Sequence, residues 1–177
     1  MRKTLLEYLV KAHKVGDFTL TSGIKSDFYI DVKSLMFNAR FIALLGQAMF
    51  RYIDSEWHGA AVGGMELGSV PISTAIAIKS TNYLVDPVHH FVVRKVPKGH
   101  GMGAQIEGFE YIKDKPVVIV DDVLTTGGSI IKTADVLTQN GISVVGAVVV
   151  VDRMDMRQPI PFPVHALFTK KDILSAI

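Results

Sequence analysis

The run VVIVDDVLTTGGS, Val117 to Ser129, constrains this chain more than any other stretch. Its first four residues, three Val and one Ile, predict a short strand buried on both faces, and a helical pattern resumes near Ile130. Between strand and helix stand Asp121, Asp122 and a Thr/Gly turn. Gly127 and Gly128 allow the backbone to turn tightly with bare amides facing inward. The helix behind them adds unpaired N–H groups and the positive end of its dipole, so the turn is a candidate anion cradle suited to a phosphate. Asp121 and Asp122 can accept hydrogen bonds from sugar hydroxyls or orient the water shell of Mg2+. Acids beside a phosphate cradle indicate a phosphorylated sugar. The acid pair alone would also end a Walker B strand or a phosphoacceptor strand, but no GxxxxGKS or GxxxxGKT occurs, which argues against a P-loop ATPase.

The rest of the chain supplies material for one domain, residues 1–177. Its 177 residues are 49% hydrophobic, and no long polar or Pro/Gly/Ser-rich linker divides them. A net charge of +2 with scattered basic residues does not indicate a nucleic-acid surface. With no cysteine, disulfides, Cys-ligated zinc and thiol catalysis are all excluded. The first apolar patch is short and broken by Glu7 and Lys11, so neither a signal peptide nor a membrane span is expected, and a cytoplasmic location is.

Thr4 and Glu7 have capping-box spacing ahead of Leu9 and Val10, which predicts a first helix ending at Gly16. Phe18 to Lys33 reads as paired strands outside the main series; with the first helix they form a small amino-terminal hood over residues 1–35. Its aromatic residues Phe18, Phe28 and Tyr29 read more readily as core than as a ligand platform. Asn38 is placed to cap a helix from Ala39 to Ile53 with Ile42, Leu45, Ala48, Met49 and Ile53 on one side. From about residue 58 to 170 a core sheet is expected. Its strands are Ala60–Val62, Phe91–Val93, the Val117 run, Val144–Val151 and Val164–Phe168, with a short last helix from Asp172. Five strands with helical crossovers indicate a mostly parallel five-stranded α/β sheet flanked by helices, whose ligands sit at the carboxyl ends of the strands.

Four segments at those ends carry glycines or charges. GGMELGS, Gly63 to Ser69, followed by a helix beginning at Pro71, is either a second anion loop or a set of packing glycines. Arg94 to Gly108 reads as a long mobile basic loop or a solvated one; its glycine spacing does not fit GxGxxG, so dinucleotide binding is set aside. The third segment is the acid pair with its turn. Val144–Val151 delivers Asp152 and Arg153 as the fourth, after a helix from Ile130 to Asn140 with Ile131, Ala134 and Leu137 inward that stops at Gly141.

Taken together, FTLTSG, FYIDVK, GGMELGS, FVVRKVPKGHG, VVIVDDVLTTGGS and VVVVDR resemble the orotate phosphoribosyltransferases of the type I phosphoribosyltransferase family over nearly the whole chain. The resemblance implies the type I fold and transfer of 5-phosphoribosyl from 5-phosphoribosyl-1-pyrophosphate (PRPP) to orotate, giving orotidine 5'-monophosphate and pyrophosphate. By similarity, PRPP is held by Arg94, Lys95, Lys98, His100, Asp121, Asp122, Val123, Leu124, Thr125, Thr126, Gly127, Gly128 and Ser129. Lys98, His100, Asp121 and Asp122 would be catalytic, and Thr125 and Arg153 would bind orotate. The cofactor implied is Mg2+, with no direct protein ligand, held through PRPP and water near the acid pair. The family also implies a homodimer sharing its active sites, with no nucleic acid and no membrane among its partners.

Those roles agree with the chemistry. Breaking the C1–pyrophosphate bond leaves positive charge on the ribose and extra negative charge on the leaving group, so cations placed to meet the latter lower the barrier. An exocyclic carboxylate suits a bidentate guanidinium. The chain departs from the common pattern at Leu67 and Thr21, where many members carry Lys. A purine phosphoribosyltransferase would keep the acids and the turn but have little use for Arg153. A non-catalytic PRPP sensor would be expected to lack the Lys/His loop.

Overall fold

A computed structural model describes residues 1–19, 25–97, 105–153 and 159–177. The amino-terminal helix α1 (Arg2–Ala12) buries Leu5 and Leu9. Its N-cap is Met1, with no side-chain cap, and it ends at Ala12 rather than at Gly16. The reason is tertiary: β1 (His13–Thr19) pairs antiparallel with β2 (Lys25–Ile30), and a register shift between Val15 and Phe18 places Gly16 inside the pairing. The expected paired strands are therefore present, and residues 20–24 between them lie outside the described residues. β2 stops at Ile30 instead of continuing to Lys33, because Asp31 accepts from Ser34 N (3.1 Å) and caps a one-turn helix, α2 (Val32–Leu35).

Asn38 caps α3 (Ala39–Glu56) as expected, accepting from Phe41 N at 3.0 Å. Phe41, Leu45, Met49, Phe50 and Ile53 are its buried residues, while Ile42 and Ala48 are only partly buried at the edge of the stripe. The central sheet has the order β5-β4-β3-β6-β7-β8. Five strands are parallel: β3 (Ala61–Met65), β4 (His90–Val93), β6 (Val117–Leu124), β7 (Val144–Asp152) and β8 (Val164–Thr169). These are the five expected strands. A sixth, β5 (Ile106–Glu107), adds two antiparallel residues along β4.

The alternation along β6 builds two cores. Val118 and Val120 pack with Phe41, Leu45 and Met49 of α3 and with Ile72 and Ile76 of α4 (Ser69–Ser80). Val117 and Ile119 pack on the other face with Ile130, Ala134 and Leu137 of α5 (Gly128–Gln139). α5 begins two residues earlier than expected. Its inward face therefore starts at Ile130, with Ile131 only partly buried. The last helix, α6 (Lys170–Leu174), also starts early, because Thr169 and Asp172 form a full capping box.

The sheet order reverses between β3 and β6. From β3 the chain crosses through α4 to β4 on one side and returns to β6 on the other, which leaves a crevice at the carboxyl ends of the two central strands. Gly63 and Gly64 lie within β3 and not in the loop after it. A Cβ at Gly63 would stand 2.2 Å from the Phe91 carbonyl, and one at Gly64 would stand 2.4 Å from the Val120 carbonyl. Packing thus accounts for both glycines. Because the obstructing atom is backbone in a central strand, Gly63→Ala is expected to destabilise the fold by about 3 kcal/mol, at the upper end of overpacking effects. Urea unfolding measures this; a shift of midpoint worth under about 1 kcal/mol would mean that β3 and β4 are not so closely apposed.

Candidate active site

The crevice holds a cavity of about 510 Å3. Its floor is Asp121 and Asp122, which lie inside β6 and not past its end as the sequence suggested, since pairing with β7 continues to Leu124. Thr125, Thr126, Gly128 and Ser129 line the cavity too, as do Tyr29 to Lys33 of the hood. Met65 to Gly68 forms a rim above the acids, with a cis peptide between Glu66 and Leu67. A Cβ at Gly68 would lie 2.9 Å from Oδ1 of both Asp121 and Asp122. Only glycine lets the rim approach the acid pair so closely.

The turn before α5 has the geometry of an anion cradle. Gly127 is the N-cap at φ +84°, a left-handed conformation that glycine adopts without strain. The first intrahelical bond runs from Ile131 N to Gly127 O (3.0 Å), so the amides before it have no partner within the helix. Asp121 is 8% exposed. Its Oδ1 accepts from Asp122 N at 2.9 Å and its Oδ2 from Ser129 Oγ at 2.6 Å. Asp122 is half-buried, and its Oδ1 accepts from Val123 N at 2.9 Å.

Burial, and next the charge of Asp122, push the Asp121 carboxyl up from 3.8 to about 7, while the bonds from Ser129 and from the Asp122 amide pull it back. The folded protein thus holds a proton on Asp121 where the unfolded chain has released it. This contribution to stability is complete below pH 3.8 and is lost as the pH rises through about 7. Thermal unfolding of the ligand-free protein and of Asp121→Asn, compared across that window, should show a smaller fall for the variant. Parallel curves would mean that Asp121 does not titrate there.

Arg153 is 4% exposed and lines the cavity, its guanidinium 5.7 Å from the centre of the Phe28 ring. Lys95 lines the rim, and its amide donates to Glu66 Oε1 at 2.8 Å. Arg94 is directed to Glu107 (3.3 Å) and is not a lining residue. Val123 lines the cavity, whereas Leu124 lies in the core beneath it and Gly127 packs toward Ile160. Lys98 and His100 lie outside the described residues, as does Thr21. Sequence reasoning covered Glu66 only as part of the GGMELGS loop and did not single out Asp31, Lys33 or Lys132 as lining residues. Lys132 had a signal, since a residue three positions after Ser129 shares its helix face.

The lining carries four acids (Asp31, Glu66, Asp121, Asp122) and four cations (Lys33, Lys95, Lys132, Arg153). Acids on the floor with cations around the cavity suit a sugar that bears phosphate groups. The phosphoribosyl transferase domain model matches residues 31–175, which contain this entire site apart from Tyr29 and Ile30. The chain belongs to the phosphoribosyl transferase family. As a family member it is a pentosyltransferase, and it is similar to curated orotate phosphoribosyltransferases. An orotate phosphoribosyltransferase of Thermococcus kodakarensis is 44% identical over 143 residues, covering 78% of this chain and 71% of the relative. One from Aquifex aeolicus is 39% identical over 170 residues, covering 91% and 90%. The Mycobacterium tuberculosis orotate phosphoribosyltransferase solved with PRPP superimposes with a TM-score of 0.73 at 29% identity, covering 97% of this chain and 98% of that one. The type I phosphoribosyltransferase fold expected from the sequence is thus the observed one.

Proposed function

We propose that this phosphoribosyltransferase domain transfers 5-phosphoribosyl from PRPP to orotate, giving orotidine 5'-monophosphate and pyrophosphate in pyrimidine (UMP) biosynthesis. The observation that carries the choice of base is Arg153. A guanidinium delivered to the cavity by the strand next to the acid pair offers a fork for the exocyclic carboxylate of orotate, a group that purine bases lack. Thr125, which also lines the cavity, would hydrogen-bond the base.

In this reading the amides of Thr125 to Ser129 hold the 5-phosphate, and Asp121 and Asp122 accept the ribose hydroxyls. As the C1–oxygen bond breaks through an oxocarbenium-like state, the acids beneath the ring stabilise its positive charge. Lys95, on the cavity rim, would meet the charge that grows on pyrophosphate, and the family resemblance assigns Arg94, Lys98 and His100 to the same task. No covalent nucleophile is required. Orotate enters as an anion, and the protein aligns it with C1 and excludes water.

Mg2+ fits the donor set. No group of three or more His, Cys, Asp or Glu able to hold a metal occurs among the described residues, while Asp121 and Asp122 offer hard oxygen atoms beside the space for phosphates. A hard cation that keeps most of its water and takes substrate phosphates as ligands needs no more than this from a protein. When bound it would neutralise pyrophosphate charge.

The reading also includes a homodimer with shared sites and a cytoplasmic location, with neither nucleic acid nor membrane as partner. Among the described residues no helix is long and apolar enough to cross a membrane. Incubation with PRPP, Mg2+ and orotate, adenine, hypoxanthine or uracil in turn tests the function. Consumption of orotate alone supports it; consumption of adenine or hypoxanthine overturns it. Sedimentation at twice the chain mass supports the dimer, and at the chain mass refutes it.

A further inference from the structure

Ser129 sits in the phosphate turn, where a hydroxyl would ordinarily be assigned to the phosphate. Its geometry points elsewhere. Oγ donates to Asp121 Oδ2 at 2.6 Å, a short bond that is charge-assisted once Asp121 has ionised. A serine hydroxyl has a single proton, and here that proton is committed to the acid. What Ser129 retains for an anion is its backbone amide, one of those preceding the first intrahelical bond at Ile131.

The partner acid is held on its other side as well. Asp121 Oδ1 accepts from the Asp122 amide at 2.9 Å, so both oxygens are fixed and the carboxylate cannot turn without breaking a bond. Above it the rim leaves no slack, since a Cβ at Gly68 would be 2.9 Å from Oδ1. On the helix side, Thr133 Oγ1 donates to the Ser129 carbonyl at 2.8 Å, which ties Ser129 to the next turn of α5. The chain Thr133, Ser129, Asp121 thus links the first turns of the helix to the floor of the cavity.

We propose that Ser129 is a positioning residue: its hydroxyl locks Asp121 in the orientation that meets the ribose, while its amide alone serves the phosphate cradle. The lock joins the two halves of the site, so that the 5-phosphate end and the hydroxyl edge of the sugar are held in one fixed relation. An acid that swings even slightly loses the alignment that the transition state requires, whereas grip on the phosphate does not depend on it.

This inference rests on the proposed transfer reaction, and four measurements separate the two. Wild-type turnover with PRPP and orotate reads the reaction itself; an inactive wild type refutes that reaction. Ser129→Ala should then lower kcat by about 10- to 100-fold, as for loss of one charge-assisted bond, with KM for PRPP changed by less than about threefold. Ser129→Thr, which keeps the hydroxyl, should restore kcat to within about threefold of wild type. Calorimetric titration with ribose 5-phosphate should give the same Kd for wild type and Ser129→Ala, because the amide cradle is intact. If instead Ser129→Ala weakens ribose 5-phosphate and raises KM for PRPP while kcat holds, the hydroxyl is a phosphate ligand and the proposal is wrong. A threonine variant no better than the alanine one would also overturn it.

Discussion

Changing both acids to amides, Asp121→Asn with Asp122→Asn, is expected to lower kcat/KM by about 10³ while leaving the melting temperature near neutral pH unchanged or higher. The size follows from two charge-assisted hydrogen bonds to ribose hydroxyls at about 2 kcal/mol each, and about 4 kcal/mol is a factor of 10³. The shapes are conserved, so packing is not disturbed. The sign of the stability effect follows from burial: Asp121 is 8% exposed and its carboxyl is raised to about 7, so ionising it in the free protein costs stability that a neutral amide does not. A group kept for function at the expense of stability is common at such sites. Steady-state kinetics with thermal unfolding on the same samples checks both halves. A variant that loses activity and melting temperature together would show that the acids are structural.

Arg153→Ala should raise KM for orotate by about 10²-fold and change KM for PRPP by less than about threefold. Arg153 is 4% exposed and close to the Phe28 ring, so removing it also vacates packed space; the Lys variant controls for this by keeping the charge. Lysine presents one ammonium in place of a planar fork, and it should recover only part of the loss. Uracil gives the sharper reading, because it lacks the carboxylate. Arg153→Ala should erase the preference for orotate over uracil. Equal weakening of orotate and PRPP would place the base elsewhere.

The central strand, its turn and all five parallel strands were legible because their signals are local: runs of β-branched residues bounded by glycine or charge. Asn38 capped α3 for the same reason. Element ends were less legible where tertiary pairing outranked local chemistry. Gly16 reads as a helix stop, yet the helix gives way at His13 because β1 must meet β2. Asp121 and Asp122 read as residues after a strand, yet pairing with β7 draws them into it. The two residues of β5 are too few to leave any pattern. Phe28 and Tyr29 show both outcomes in neighbouring positions. Strand alternation buries Phe28 at 1% exposure, stacked on His13, and turns Tyr29 toward the cavity. Glu66 and Asp31 reach the site only through the way loops from different elements converge, which no single stretch of sequence records.

The whole account depends on one spatial relation, the amides before α5 gripping the phosphate while the acids of β6 face the ribose. A crystal structure with ribose 5-phosphate bound tests it most directly. The expected result is phosphate oxygens within about 3 Å of the amides between Thr126 and Ser129, with ribose hydroxyls at similar distance from Asp121 and Asp122. A phosphate bound against Lys95 instead, with the sugar pointing away from the acid pair, would contradict it.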